Sequence, residues 1–250
     1  MEIKVELHTH THYSHDSFLN RWLYLFILKI RKIKVVGITD HNEIIGAKKF
    51  EDFLVKFGII VIVGEEVFTS KGEVIGLFLN EKINPGLTPR ETMLEIRRQG
   101  GIVYVPHPYD EKRYKTVLHE DEIRKNIDLI DIIEIHNGRN IKRQFSDIQL
   151  DIANNYRKIK SVGSDAHTFI ELGRNYNLMK EFNNKEEFLN NLNYANYVKA
   201  DCIQLAHEIT KLVRIVKLLR KGRFDELFRI IHKRYRRSKH QLSSKSGSKF

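Results

Sequence analysis

Residues 5–17 read VELHTHTHYSHDS, an apolar strand pattern that runs directly into four histidines and an aspartate. In a β-strand, residues i and i+2 point the same way, so His8 and His10 can turn both imidazoles toward one ion. Neutral imidazole and carboxylate are ligands that suit Zn, Fe or Mn. This stretch therefore predicts a metal site at the end of the first strand.

Short β-branched runs recur along the rest of the first 170 residues, with helical patterns between several of them. Such runs, bounded by Gly, Pro or charged residues, are typical of buried strands. The predicted strands are Ile3–Leu7, Val35–Thr39, Ile59–Val63, Val74–Leu79, Ile102–Val105, Ile132–Ile135 and Ser161–Gly163. The predicted helices are Phe18–Ile33, Ala47–Phe57, Pro89–Gln99, Asp121–Ile127 and Ser146–Asn154. This alternation indicates a parallel α/β sheet or barrel with helices outside.

Histidines and acids follow six of these strands. After the first strand they are His8, His10, His12, His15 and Asp16, and after the others Asp40, His41, Glu65, Glu66, His107, Glu134, His136, Asp165 and His167. The carboxyl ends of parallel strands are where sites are built in α/β sheets and barrels. One ion takes three or four protein ligands, whereas about nine converge here. The surplus predicts two or three adjacent ions, which can clamp the attacking and leaving oxygens in phosphoryl transfer.

At these residues the sequence resembles the PHP (polymerase and histidinol phosphatase) superfamily of metal-dependent phosphoesterases, over about residues 3–180. The motifs that carry the resemblance occur in family order and are His8–His10, Tyr13–Ser17, Ile38–Asn42, Gly64–Val67, Pro106–Pro108, Ile133–Arg139 and Gly163–His167. The run into Leu172-Gly173-Arg174 is similar to small stand-alone members. The fold that the resemblance implies is a distorted (β/α)7 TIM-like barrel with a dinuclear or trinuclear metal centre.

The resemblance also implies a ligand set. By position, its members are His8, His10, Glu66 and Asp165 around one ion, His107 and His136 with the bridging Glu66 around a second, and Asp16, His41 and His167 around a third. Glu65 adjoins Glu66, which is preferred because the family pattern places its Glu two residues after the Gly. His15 similarly adjoins Asp16, which is preferred for its spacing from His10. His12 is an outer candidate or a surface turn residue.

Glu66, Asp165, Arg139 and Arg174 are the predicted catalytic residues. Both arginines directly follow metal motifs, so each is expected either to grip substrate phosphate through a bidentate fork or to form an exposed salt bridge. The expected reaction is attack on phosphorus by a metal-bridging hydroxide, with the cations and an arginine holding the phosphate oxygens. Asp40 is expected to orient His41 or to make a strand-end hydrogen bond.

Composition limits the remaining alternatives. The 250 residues carry one cysteine, which excludes an intramolecular disulfide and a thiolate zinc finger. No apolar run approaches the length of a membrane span, and no signal peptide is visible, so a cytoplasmic location is expected. The net charge is +11, but residues 211–250 alone carry 14 Lys/Arg and two acids. The basic charge, and any affinity for acidic partners, therefore belongs to the tail.

The chain is expected to divide into a barrel (1–205), a basic amphipathic helical extension (206–238) and a disordered tail (239–250). Ile209, Leu212, Val213, Val216 and Leu219 fall at helical spacing and predict a face that covers the barrel. The extension is expected either to cover a barrel end with its charge in solvent, or to contact nucleic acid through residues 211–250. An interfacial membrane helix is a further alternative.

The expected substrate is a phosphate ester of a nucleotide, a nucleoside 3′,5′-bisphosphate or a short oligonucleotide. A histidinol-phosphatase-like enzyme acting on a small molecule would use the same centre but gain nothing from a basic tail. A catalytically inactive module that binds metal or nucleic acid is a third alternative, and the full ligand set argues against it.

Overall fold

The computed structural model describes residues 1–110, 113–114 and 116–229. Within them one mixed sheet has the order β7-β6-β5-β4-β3-β2-β1-β8-β9. The strands are β1 (Glu2–Thr9), β2 (Ile33–Ile38), β3 (Ile60–Thr69), β4 (Gly72–Leu77), β5 (Ile102–Val105), β6 (Ile132–Asn137), β7 (Ile159–Gly163), β8 (Tyr176–Lys180) and β9 (Asn196–Val198). The helices are α1 (Arg21–Arg31), α2 (Ile45–Leu54), α3 (Pro89–Arg98), α4 (Glu120–Lys125), α5 (Gln144–Asn155), α6 (Lys185–Asn193) and α7 (Gln204–Arg220). A single 3₁₀ turn, Val55–Phe57, extends α2.

The sheet curls into a nearly closed barrel. Thr9, at the end of β1, forms a parallel bridge with Ala166, just beyond β7, and His10 N donates to Ala166 O at 2.9 Å. Four residues before Thr9 and Ala166, the side chain of Asn177 in β8 bridges β1 and β7. Its Nδ2 donates to Val5 O and Val162 O, both at 3.1 Å. The predicted distorted TIM-like barrel is confirmed.

Apolar side chains pack on both faces of the sheet, as the two-residue period of a strand requires. Val36 and Val63 belong to the cluster that α1, α2, α3 and α5 cover. Their neighbours Val35 and Ile62 belong to a second cluster on the opposite face, to which α6 contributes Phe188. With both faces buried, the polar groups of the chain concentrate at the strand ends.

The structure corrects the predicted strand directions and adds elements. β4 runs antiparallel to both β3 and β5, because the two-residue connection Ser70-Lys71 makes a hairpin with β3 rather than a crossover. β8, β9 and α6 lie in a stretch for which no element was predicted. β9 is the edge strand and β8 lies next to it, and both mix polar and apolar residues, so they lack the apolar runs that mark buried strands.

Helix α7 lies across the open end of the barrel, but on a different face from the one predicted. Its buried residues are Ala206, Thr210 and Leu218. Leu212 and Leu219, predicted to cover the barrel, are 62% and 46% exposed. The barrel end is polar, so small and hydrogen-bonding side chains contact it while the apolar stripe faces outward.

Residues 224–229 continue in helical conformation after a break at Gly222. The rest of the predicted extension, 230–238, and the predicted disordered tail, 239–250, lie outside the described residues. Among the helices that are described, none combines the length and the apolar character needed to cross a membrane.

Candidate metal centre

The centre lies where β1, β2, β3, β5 and β7 deliver polar side chains to one end of the barrel. Eight of the nine predicted ligands meet there, and they are His8, His10, Asp16, His41, Glu66, His107, Asp165 and His167. All of them except Asp16 and His41 are less than 4% exposed. Five groups of three ligand atoms within this region are close enough together to hold an ion.

Glu66 lies in the middle of the cluster. Its Oε1 is 3.2 Å from His107 Nε2 and 3.5 Å from His8 Nε2. Its Oε2 is 3.0 Å from His41 Nδ1 and 3.4 Å from His10 Nε2. One carboxylate therefore contacts four imidazoles from three other strand ends, which is the geometry required of a group shared by two ions.

Asp165, which follows β7, contacts two histidines of the cluster. Its Oδ1 is 3.3 Å from His10 Nε2 and 3.6 Å from His8 Nε2, and its Oδ2 accepts from Arg113 Nη1 at 2.6 Å. The backbone of Asp165 has φ of +51°, and that of His107 has φ of +30°. Non-glycine residues adopt positive φ at a cost, and such strain is concentrated at functional sites. Here it turns two site side chains into the cluster.

A third group lies at the rim. His167 Nε2 is 3.3 Å from Asp16 Oδ1 and 3.4 Å from His41 Nε2. His15 is half exposed, with its Nε2 3.6 Å from Asp16 Oδ2. Asp16 and His15 both face His41, so the geometry leaves either of them able to complete this group.

Buried acceptors orient the rings. His8 Nδ1 is 3.1 Å from Glu134 Oε1, which leaves Nε2 to face the cluster. Glu134 also accepts from Tyr104 Oη at 2.7 Å and from the backbone N of His107 at 2.7 Å. A carboxylate behind a ligating imidazole fixes its tautomer and ring orientation. The sequence marks Glu134 only as a strand-end acid, without a role.

Asp40 holds the loop that carries several ligands rather than His41 itself. It accepts from Thr11 N and Thr11 Oγ1, both at 2.6 Å, and from Ser14 Oγ at 2.7 Å. Ser14 Oγ in turn lies 3.2 Å from His10 Nδ1 and accepts from the backbone N of His41 at 3.1 Å. Asp40 thus makes a strand-end hydrogen-bond network, and that network positions two of the rings.

The buried atoms that lack hydrogen bonds show whether the donor set fits metal ions. Among the described residues they include His8 Nε2, His10 Nε2, Asp16 Oδ1, Glu66 Oε2 and His107 Nδ1. Buried polar atoms are nearly always hydrogen-bonded, so a convergent set without partners requires an explanation. Divalent cations bound by imidazole and carboxylate supply it. The clusters are consistent with a multi-metal site.

The pKa shifts of the site residues agree with a donor set for metal ions. Burial by itself raises the pKa of Glu66, but the nearby His8 and His41 outweigh it and hold the pKa well below its usual range. Burial lowers the pKa of His41, but Glu66 and Asp16 outweigh it and raise the pKa to about 10. Glu66 is therefore charged, and a metal ion would replace the proton on the ring of His41.

Two further residues join the site without having been predicted. Glu73, in β4, lies 3.7 Å from His107 Nε2 and 3.9 Å from His41 Nδ1. Burial and the charge of Glu66 raise its pKa to about 7. Recognising the hairpin of β3 with β4 would have placed Glu73 near Glu66. Arg113 lies in the long connection after β5, where no sequence pattern marks it.

His136 lies outside the cluster. Its Nδ1 contacts Ser146 Oγ at 2.7 Å and its Nε2 contacts Ala200 O at 3.2 Å. The pairing of β6 with β7 shifts register between Glu134 and His136. A bulge of this kind re-aims side chains, so the two residues do not share a face as a regular strand would require.

The two predicted catalytic arginines differ in placement. Arg139 is buried and lines the cleft, with Nε 3.2 Å from Glu171 Oε1 and Nη1 2.8 Å from His167 Nδ1. Its Nη2 donates to Thr210 Oγ1 of α7 at 2.9 Å. Arg174 does not line the cleft.

A cleft of about 790 Å³ opens over the cluster. Ligand candidates form its floor, and α7 forms one wall with His207, Thr210, Lys211 and Arg214. The cations around it are Arg113, Arg139, Lys142, Lys211 and Arg214. Five acids line the cleft as well, and they are Asp16, Glu73, Asp110, Asp165 and Glu208. The cations can contact anionic groups of a ligand, and metal ions held by the acids would make the cleft positive.

Comparisons with known proteins agree with this architecture. A family model described as the PHP domain matches residues 6–246. An uncharacterized protein of Methanocaldococcus jannaschii is 32% identical over 218 residues, covering 85% of this chain and 86% of its own. A second uncharacterized protein of that organism is 43% identical over 117 residues, 43% of this chain and 68% of its own.

Solved structures share the fold. PsfC from Pseudomonas syringae superposes with a TM-score of 0.62 at 14% identity, covering 86% of this chain and 98% of its own. A two-domain Bacteroides vulgatus protein, described as containing a predicted PHP-like metal-dependent phosphoesterase, has a TM-score of 0.56 at 16% identity. That match covers 72% of this chain and 60% of the other.

Proposed function

The chain belongs to the PHP domain family, and on that premise we propose that it is a metal-dependent phosphoesterase. The proposed substrate is a phosphate ester of a nucleotide, a nucleoside 3′,5′-bisphosphate or a short oligonucleotide. The proposed ligands are His8, His10, Asp16, His41, Glu66, His107, Asp165 and His167, with Glu73 adjoining them. His136 remains a proposed ligand only if its ring turns away from Ser146.

The observation that carries the proposal is the position of Glu66. Its two oxygens face four imidazoles at 3.0 to 3.5 Å, and the side chain is 1% exposed. Such a group suits two ions held side by side, which is the arrangement that favours in-line displacement at phosphorus. When bound, the ions would acidify a water molecule and neutralise charge on the phosphoryl oxygens.

The remaining contributions come from side chains of the chain itself. Arg113 is fixed by Asp165 and by Asp110, whose Oδ2 lies 3.2 Å from Arg113 Nε. Arg139 is fixed by Glu171 and Thr210. Both guanidinium groups line the cleft, where they can orient an anionic substrate over the cluster without reorganising. Hydrogen bonds to phosphate suit the arginine fork.

The experiment is a hydrolysis screen with the full chain, reconstituted separately with Mn, Zn and Fe. The substrates are p-nitrophenyl phosphate, bis-p-nitrophenyl phosphate, sugar phosphates, a nucleoside 3′,5′-bisphosphate and a 5′-phosphorylated oligonucleotide. We expect metal-dependent release of phosphate or nucleotide, highest on the nucleotide compounds. Turnover confined to the sugar phosphates would reject the nucleotide assignment. No turnover with any metal would reject the phosphoesterase assignment.

A further inference from the structure

Helix α7 is attached to the metal centre at two points. Near the middle of the helix, Thr210 accepts a hydrogen bond from Arg139. One turn from its end, Lys217 Nζ donates to His12 O at 2.7 Å and to Ser14 O at 2.6 Å. Both contacts involve segments that carry candidate ligands, so the side chains on this face of α7 have a fixed position relative to the centre.

A small recess adjoins the metal cleft on this side, and His15 and Arg214 line both. Its volume is about 60 Å³. A cavity needs about 10–15 Å³ on this measure to hold one water molecule, so the recess has room for a small polyatomic group such as phosphate. Its other lining residues are Lys217, Leu218, Lys221, Arg223 and Glu226.

Two of the cations that line the recess lack a hydrogen-bond or ion-pair partner among the described residues. Arg223 forms an ion pair with Glu226, and Lys217 is held by backbone oxygens. For Arg214 and Lys221, no side-chain hydrogen bond or ion pair is found within the described part of the chain. They are seven residues apart, which on a helix means the same side and a rise of about 10.5 Å. Because Glu226 of the recess already pairs with Arg223, these two cations leave the recess positively charged beside the metal cleft.

We propose that this recess is a second phosphate subsite, formed by Arg214 and Lys221, and that the preferred substrate carries a phosphate beyond the one that is hydrolysed. The identity of the hydrolysed group rests on the proposed function. The occupant of the recess is the next phosphate of the same nucleotide chain. A substrate with a single phosphate leaves the recess to solvent, so the subsite favours oligonucleotides and nucleoside bisphosphates over nucleoside monophosphates.

Binding tests the subsite separately from hydrolysis. The probe is a fluorescent 5′-phosphorylated pentathymidylate, titrated with the full chain in the presence of a chelator. We expect Arg214→Ala and Lys221→Ala each to weaken binding about tenfold, the effect of removing one charge-assisted hydrogen bond. The slope of log K against log salt should become shallower by about 0.7 for each phosphate that the variant no longer binds. The matched control is Arg220→Ala, because Arg220 lies on the same helix but lines neither cavity.

Equal weakening in all three variants would overturn the subsite, since it would show only a general effect of positive charge. A kinetic comparison separates this failure from failure of the proposed function. With the subsite correct, Arg214→Ala lowers the ratio of kcat/KM for the oligonucleotide to that for p-nitrophenyl phosphate about tenfold, through KM. If hydrolysis is observed and Arg214→Ala leaves this ratio of kcat/KM values unchanged, the subsite is rejected but the phosphoesterase proposal is not. If the chain hydrolyses no substrate but Arg214→Ala and Lys221→Ala still weaken binding selectively, the phosphoesterase proposal is rejected and the subsite is supported.

Discussion

Glu66 Oε2 lies 3.0 Å from His41 Nδ1, and the same two residues form a backbone bridge between β3 and the segment that follows β2. Asn42 N, one residue on, donates to Glu66 O at 3.0 Å. The bridge holds the central carboxylate and a rim imidazole in register through the main chain. Their contact is therefore a product of the sheet rather than of flexible side chains, and the metal centre depends on it.

We expect Glu66→Gln to lower hydrolysis at least about a hundredfold, because a neutral amide cannot offset two cations. The matched control is Glu65→Gln. Glu65 is equally buried but points away, with Oε2 accepting from Ile83 N at 2.9 Å. Steady-state rates of the two variants provide the measurement. Similar losses in both would show that the bridging role has been given to the wrong carboxylate.

The carboxylate behind His8 offers a second test. Glu134→Gln should weaken metal affinity by about 10- to 100-fold, because the variant lacks the negative charge behind His8 and has one accepting oxygen where the carboxylate uses two. Competition with a chromogenic chelator measures the affinity directly. Glu2→Gln, an exposed change of the same kind in β1, serves as the control. Unchanged affinity in Glu134→Gln would contradict the role given to this residue.

The variant His136→Ala tests whether His136 belongs to the set of metal ligands. In the structure its ring contacts Ser146 and Ala200, so we expect the variant to keep the wild-type metal content. The resemblance to the family instead implies a ligand at this position. Loss of one ion per chain on substitution, measured by elemental analysis, would show that the ring joins the centre when metal is present.

The raised pKa of Glu6 predicts how the free energy of unfolding of the metal-free protein depends on pH. Burial raises its pKa to about 8, against hydrogen bonds from Ser164 that lower it. Between pH 4.5 and 8 the native state therefore holds a proton that the unfolded state has released. The free energy of unfolding should fall as pH rises through this range, by up to about 1.4 kcal/mol per pH unit from this group.

Glu6→Gln removes that contribution while keeping an acceptor for Ser164 N, which lies 2.9 Å from Glu6 Oε1. We expect urea unfolding of the variant to show a weaker pH dependence and higher stability at pH 8. Some dependence should remain, because burial also raises the pKa of Glu65 to about 7. Glu2→Gln again provides the control. Identical pH profiles for Glu6→Gln and wild type would contradict the prediction.

Much of the fold could be predicted because the buried strands are marked by apolar β-branched runs. The strand Tyr176–Lys180 was missed because only two of its five side chains are buried, so its pattern is mixed. The packed face of α7 was also missed. Its partner is the polar barrel end, so Thr210 and Lys217 make the contacts rather than the leucines that the periodicity favoured.

In the candidate site, too, some residues could be placed from the sequence and others could not. Candidate ligands that directly follow strands could be placed together from sequence, since strand ends converge. Glu73 and Arg113 could not, because a hairpin brings one to the cluster and a long connection brings the other. The position of His136 depends on a bulge in β6, and a one-residue shift of register leaves no trace in the pattern of apolar residues.

Truncation after Gly222 tests the remaining basic segment. Because α7 through Arg220 lines the cleft, it is retained in this variant. We expect hydrolysis of p-nitrophenyl phosphate to persist, while oligonucleotide affinity and its salt dependence fall, by about 0.7 in slope for each phosphate that is no longer bound. An unchanged slope would mean that residues 223–250 do not contact nucleic acid.

The central claim is that this centre holds more than one metal ion, and metal content tests it most directly. The full chain, purified without chelator and reconstituted anaerobically, should contain two to three transition-metal ions per chain by elemental analysis, as the eight converging candidate ligands and Glu73 predict. Glu66→Gln should retain fewer ions than Glu65→Gln. One ion or none in the wild-type protein, after reconstitution with Mn, Zn and Fe in turn, would contradict the account.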